Sequence, residues 1–179
     1  MADNYGMVAV ESVFDLSYSD LAPLLDELSK RHVNVRVNIV NYGRPAGGPL
    51  DMFFLIMVGG SLLYLKSFIE SWAAEDAKAL REKLLATLKK GRGTELRDGM
   101  FPLRMVVGGV RFYIRKPMTD EEFVTRLTAA QAYIEAIPDE ILASHDSLGA
   151  HGMYWDQTGG NWKPVAVGWA GDICPFDAG

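Results

Sequence analysis

The sequence predicts an α+β domain in which helices cover one face of an antiparallel sheet, and three observations carry that expectation. Residues 33–40 (VNVRVNIV) alternate apolar and polar side chains, the period of a half-buried strand. An uncharged run from Met52 to Leu65 passes through Gly59-Gly60 into an apolar stripe at helical spacing that reaches Leu88. That is the pattern of a buried strand followed by the helix that covers it. Residues 102–116 place two β-rich segments either side of Gly108-Gly109, a dipeptide suited to a tight hairpin turn.

Residues 7–14 (MVAVESVF) read as a first strand. Ser19 and Asp20 can cap a helix running through His32, with Pro23 tolerated in its first turn. Leu21, Leu24, Leu25 and Leu28 share one face of that helix. The alternating strand follows, with Val35, Val37 and Ile39 turned to the core and Asn34, Arg36 and Asn38 on the opposite face. The segment Asn41 to Leu50 carries three glycines and two prolines and reads as a loop. Residues 52–58 are apolar on both faces, which places that strand at the centre of a sheet.

One long helix is expected from Ser61 to about Lys90, with Leu62, Leu65, Ile69, Trp72, Ala73, Leu80, Leu84 and Leu88 inward. Lys89 and Lys90 suit the negative end of its dipole, and Gly91 stops it. After a polar linker over residues 91–99 comes the Gly108-Gly109 hairpin. Thr119-Asp120-Glu121-Glu122 is a capping box, opening a helix with Phe123, Leu127, Ala130 and Ile134 on one face. That helix stops before Pro138, which begins a short further turn. Beyond Leu142 glycines and aromatics dominate, with a hairpin of residues 151–156 and 162–169 around Thr158 to Asn161. The expected organisation is a core domain over residues 1–142 and an extension, 143–179, packed on it. Over residues 1–116 the order strand, helix, strand, strand, helix, strand resembles the ferredoxin-like βαββαβ layout, a fold that hosts many unrelated functions.

Composition narrows the functional classes. A net charge of −5 disfavours phosphate backbones and anionic membranes, so no nucleic-acid partner is expected. Phe112 and Tyr113 lie in a strand segment flanked by Arg111 and Arg115, but the segment lacks the glycine-rich pattern of an RNA-stacking strand. The uncharged run from Met52 to Leu65 falls short of the roughly 20 residues a membrane-spanning helix needs. No cationic region followed by an apolar run opens the chain, and a single cysteine, Cys174, fits a reducing compartment. The expected location is therefore the cytoplasm.

Candidate chemistry is sparse. His145, Asp146, His151 and Asp156 supply two imidazoles and two carboxylates within twelve residues, enough for an acid–base pair. Their spacing is that of no zinc motif, and with Gly149 and Gly152 among them they read first as polar turn residues, Asp156 at a hairpin end. Gly59-Gly60-Ser61 opens a helix after a strand, yet neither phosphate-binding glycine pattern is present. Asp76 borders the inward stripe of the long helix, where Ala77 can take the buried place instead. Cys174 reads as an inert thiol. No metal or cofactor is expected.

The aromatic residues Tyr154, Trp155, Trp162, Trp169 and Phe176 are either a staple for the extension or a contact surface. The leading expectation is a non-enzymatic protein-binding or assembly module that engages a protein partner or a second copy. Asn34, Arg36, Asn38, Trp155 and Trp162 are its candidate binding residues. The alternative is a small-molecule enzyme with its site between the polar sheet face and the 145–161 loop. In that case His145 or His151 acts as general base and Asp146 lies beside them.

Overall fold

A strand that hides alternate residues and a helix that hides one stripe must share a core, and the chain builds one by alternating the two. The computed structural model describes residues 6–12, 16–32, 34–39, 54–90, 103–114, 118–143 and 151–164. In chain order the elements are β1 (Met7–Ser12), α1 (Tyr18–Arg31), β2 (Asn34–Ile39), β3 (Phe54–Gly59), α2 (Leu62–Ala73), a 3-10 turn (Glu75–Ala77) and α3 (Lys78–Lys90). They continue with β4 (Leu103–Val107), β5 (Val110–Ile114), α4 (Asp120–Ala136), α5 (Asp139–Leu142), β6 (His151–Asp156) and β7 (Asn161–Pro164).

The seven strands form one sheet in the order β2-β1-β3-β4-β5-β6-β7. It is mixed, not antiparallel: β1–β2, β3–β4 and β5–β6 are parallel, while β1–β3, β4–β5 and β6–β7 are antiparallel. This corrects the ferredoxin-like expectation. Each helical segment returns the chain to the end of the sheet where it began, so the next strand lies parallel to the last. In the ferredoxin-like pattern another strand splits such parallel partners; here they are immediate neighbours.

The crossovers also differ in hand. The steps β3 to β4 and β5 to β6 move the same way across the sheet, but β3 and β5 run in opposite directions. Their helices pack on each other on one face. The two connections therefore have opposite hands, and one of them departs from the right-handed rule for parallel crossovers.

The expected one-sided layering does hold. Val8, Val10, Ile56, Val58, Met105, Phe112 and Met153 point from the strands into one cluster with Leu24, Leu28, Phe68, Ile69, Leu84, Phe123 and Leu127 from the helices. Each such side chain contributes about 1.5–3 kcal/mol by leaving water. The opposite face carries no helix among the described residues.

Two local expectations change. Ser17, not Ser19 or Asp20, caps α1, its hydroxyl accepting from the Asp20 N–H while Asp20 returns a bond to the Ser17 N–H at 3.0 Å. Pro23 consequently falls in the second turn. The single long helix breaks at Ala74, which is extended (φ −59°, ψ 151°). A straight helix over residues 61–90 would run roughly 45 Å, about twice the length of a six-residue strand. The break also resets the helical phase. Ala77 turns inward and is fully buried, while Asp76 stays exposed and pairs with Arg31 at 3.4 Å.

The capping box at Thr119 and the burial of Phe123, Leu127, Ala130 and Ile134 follow the sequence pattern. So does the tight turn between β4 and β5, where Gly108 has φ +57° and a Cβ would lie 2.1 Å from the Leu142 carbonyl oxygen. Gly108→Ala must strain the backbone and push α5 away, a combined cost of about 1–3 kcal/mol. Thermal denaturation checks this, and an unchanged midpoint would show that the turn relaxes freely.

Candidate functional site

The two outer strands of the sheet are unlike each other. β2 is six residues long and regular, with Asn34, Arg36 and Asn38 exposed and Val35, Val37 and Ile39 half-buried against the core. Its inner edge is aligned with β1, Ala9 beside Arg36 and Glu11 beside Asn38. α1 packs on it from the helix side. Among the described residues no strand lies along its outer edge.

β7 (Asn161–Pro164), at the other end, carries Lys163 and Pro164 and follows the turn through Gly159 and Gly160. Its Lys163 pairs with Asp156 across the hairpin, which holds the Asp156 carboxyl below the usual carboxylate range. A lysine or a proline helps keep an edge strand from accepting another strand. β7 has both; β2 has neither, and its one charged side chain is Arg36.

Asn34, Arg36 and Asn38 belong to the open face of the sheet, with Met7, Ala9 and Glu11 of β1 beside them. Further along that face come Leu55 and Met57 of β3, then Arg111 and Tyr113 of β5. Arg111 donates to the Tyr113 hydroxyl at 3.1 Å. Phe112 points the other way, into the core.

Trp155 and Trp162 are brought together, but not with the β2 residues. Their rings meet edge to face at 5.3 Å on the helix side, at the opposite end of the sheet. Trp162 is 9% exposed and donates from Nε1 to the Arg126 carbonyl at 3.0 Å, and the Arg126 guanidinium lies 5.5 Å from the Trp155 ring. The pair staples the β6–β7 hairpin to α4.

His151 opens β6, is half-buried, and donates its backbone N–H to the Gly109 carbonyl at 3.1 Å. Strand alternation sends its side chain to the face of Met153 and that of Asp156 to the other, so the two do not form a site. Asp156 instead accepts from the Thr158 N–H at 3.0 Å, as a turn residue does. His145, Asp146, Trp169, Cys174 and Phe176 lie outside the described residues. Among the described residues no group of three or more His, Cys, Asp or Glu is placed to hold a metal ion, and no helix is long and apolar enough to cross a membrane. The Gly59-Gly60-Ser61 turn caps its own helix, Ser61 Oγ accepting from the Tyr64 N–H at 3.3 Å.

One polar cluster escaped the sequence reading. His32, at the junction of α1 and β2, is 6% exposed and has both ring nitrogens engaged. Trp72 Nε1 donates to His32 Nε2 at 3.1 Å, and Nδ1 meets the Tyr64 hydroxyl at 2.8 Å. An indole N–H only donates, so Nε2 carries no proton and Nδ1–H donates to Tyr64. Burial, aided by Arg31 next door, lowers the His32 pKa to about 4. The signal was there in outline: Tyr64, Phe68 and Trp72 stand at four-residue spacing along α2, an aromatic ladder that needs something to stack on. Its partner lies 32 residues upstream of Tyr64, and no local pattern reports that. A neutral histidine locked on both sides fixes the α1–β2 junction and so positions the strand edge.

Comparison with protein-family models, with curated proteins and with solved structures gives no match to this chain.

Proposed function

We propose that this protein is a non-enzymatic binding or assembly module that takes an extended protein strand onto the outer edge of β2. The contrast between the guarded β7 edge and the unguarded β2 edge carries this reading. An added strand gains backbone hydrogen bonds along β2, which give affinity without selecting sequence. Selectivity comes from alternate side chains. Val35, Val37 and Ile39 extend the apolar face under α1, while Asn34, Arg36 and Asn38 offer donors and acceptors on the open face. Trp155 and Trp162, stapled to α4, support the far end of the sheet in this scheme.

The test uses a fluorescent peptide reproducing residues 33–40 and reads anisotropy against dilute protein. Of two neighbouring residues in an edge strand, one points its N–H outward. Val37→Pro and Asn38→Pro are therefore made together, and the variant that retains the wild-type circular dichroism is scored. Saturable binding to the wild type, weakened at least about tenfold by that proline, is the expected result. Absence of binding to the wild type, or equal binding by the folded proline variant, would overturn the reading.

A further inference from the structure

We infer that the strand accepted by the β2 edge is β2 of a second copy, running antiparallel, with a twofold axis through Val37. The inference rests on the strand-accepting role of that edge. A twofold axis perpendicular to the sheet makes the same row of residues meet itself. It also keeps both helix layers on one side, so paired residues must point to the same face in both copies. Registers of that kind are centred on a residue, and only centres at Arg36 or Val37 align five residues of β2 with five of its copy.

Charge decides between the two centres. Centring on Arg36 sets Arg36 directly opposite Arg36 of the second copy, and like charges directly opposite destabilise a pair of strands. Centring on Val37 sets Val37 against Val37, Val35 against Ile39, and Arg36 against Asn38, each of the last two twice. The apolar residues then meet on the helix side and the polar ones on the open face. Asn38 is aligned with Glu11 of β1, so Arg36 of the second copy, Asn38 and Glu11 form one row on the open face. The arginine stem is long enough to reach the carboxylate across the asparagine. The same row repeats on the other side of the axis, so the only charged side chain in β2 finds an opposite charge twice over.

Joining the two edges makes one continuous sheet with the described helices on one side, and it removes the unguarded edge from both copies. The junction alone is smaller than the roughly 1,200 Å² typical of a stable interface. Association is therefore expected to depend on concentration.

Disulfide trapping in a Cys174→Ser background tests the register. Single cysteines are introduced as Arg36→Cys, Val37→Cys and Asn38→Cys, oxidised at several protein concentrations, and analysed on non-reducing gels, with sedimentation velocity on the unmodified chain. In the proposed register residues 37 face each other at bonding distance. Residues 36, like residues 38, are offset by about two positions, roughly 8 Å apart, too far to bridge. Val37→Cys is expected to trap dimer at least about fivefold more than either neighbour alone. An equal mixture of Arg36→Cys and Asn38→Cys is expected to trap the mixed dimer. Strongest trapping by Arg36→Cys alone, or a chain that sediments as a monomer at every concentration, would overturn the inference. A monomer that still binds the residue 33–40 peptide would sink the second-copy assignment while sparing the strand-accepting edge. Failure of peptide binding as well would sink both.

Discussion

Replacing Arg81 with alanine is expected to cost about 3–5 kcal/mol of folding stability, the toll of breaking a buried, fully engaged ion pair from one side. Arg81 is only 3% exposed. Its Nε and Nη2 donate to the two oxygens of Asp120 at 2.7 and 2.9 Å, the forked geometry that makes arginine–carboxylate pairs strong. Its Nη1 donates to the carbonyls of Trp72 at 3.0 Å and Ala74 at 2.6 Å. Those carbonyls lie where α2 stops; the Ala74 carbonyl also accepts from the Ala77 N–H at 3.1 Å, and the guanidinium adds the link from α3 to both.

One side chain thus ties the end of α2, the start of α3 and the first turn of α4. Arg81→Met, which keeps the apolar stem, tests whether packing or the charge matters more. Urea denaturation should show Arg81→Ala and Arg81→Met both far below the wild type. A loss under about 1 kcal/mol for Arg81→Ala would mean that the α2–α3 break is held by packing alone. The same pair has an acid limb. Hydrogen bonding from Arg81 holds the Asp120 carboxyl below its ordinary range. Its contribution is thus present at neutral pH and is lost as pH falls through the folded-state value.

Acidification from pH 7 to pH 4.5 is expected to remove about 2–3 kcal/mol, on the order of what a histidine with a lowered folded-state pKa loses to the unfolded chain. His32 has a folded-state pKa of about 4 against an ordinary 6.5, and its first cause is burial. Between those values the unfolded state binds the proton and the native state does not, so stability is full above about pH 6.5 and falls steadily below it. Protonating Nε2 in place would set an N–H against the Trp72 indole N–H, which cannot accept. The measurement is unfolding free energy at pH 7 and 4.5 for the wild type and His32→Gln. The wild type should lose markedly more on acidification than the variant. An NMR titration of the His32 ring that centres near 6.5 would refute the argument.

Much of this architecture is legible residue by residue. The alternation over residues 34–39 states which three side chains face the core, because strand pleating leaves no other choice. The capping box at Thr119, the stripe through Phe123 and Ile134, and the glycine turn at residue 108 work the same way. Each is a statement about neighbours within a few residues, and local sterics and hydrogen bonding decide it. His32 reads as no more than the end of a helix, since both its partners come from α2.

The break at Ala74 follows the same logic. Its sequence, two alanines before Glu75 and Asp76, is good helix, so no local pattern announces the end of α2, and the guanidinium of Arg81, seven residues on, donates to the Ala74 carbonyl at the break. The aromatic pair Trp155 and Trp162 is visible as a feature of the tail, but which face it serves depends on α4 supplying the Arg126 carbonyl.

The sequence by itself determined what each segment hides: which residues of β2 and β3 are apolar, where α4 opens, where the Gly108 turn falls, and that the helices share one face. The tertiary structure alone decided who lies beside whom. It chose parallel neighbours over a split antiparallel order, placed β2 at one edge, and gave two crossovers opposite hands. The physical reason is that periodicity constrains only the direction a side chain faces. Many strand orders satisfy the same pattern, and the choice among them is made by long-range packing of the helices on each other and by the few buried polar groups that admit one set of partners.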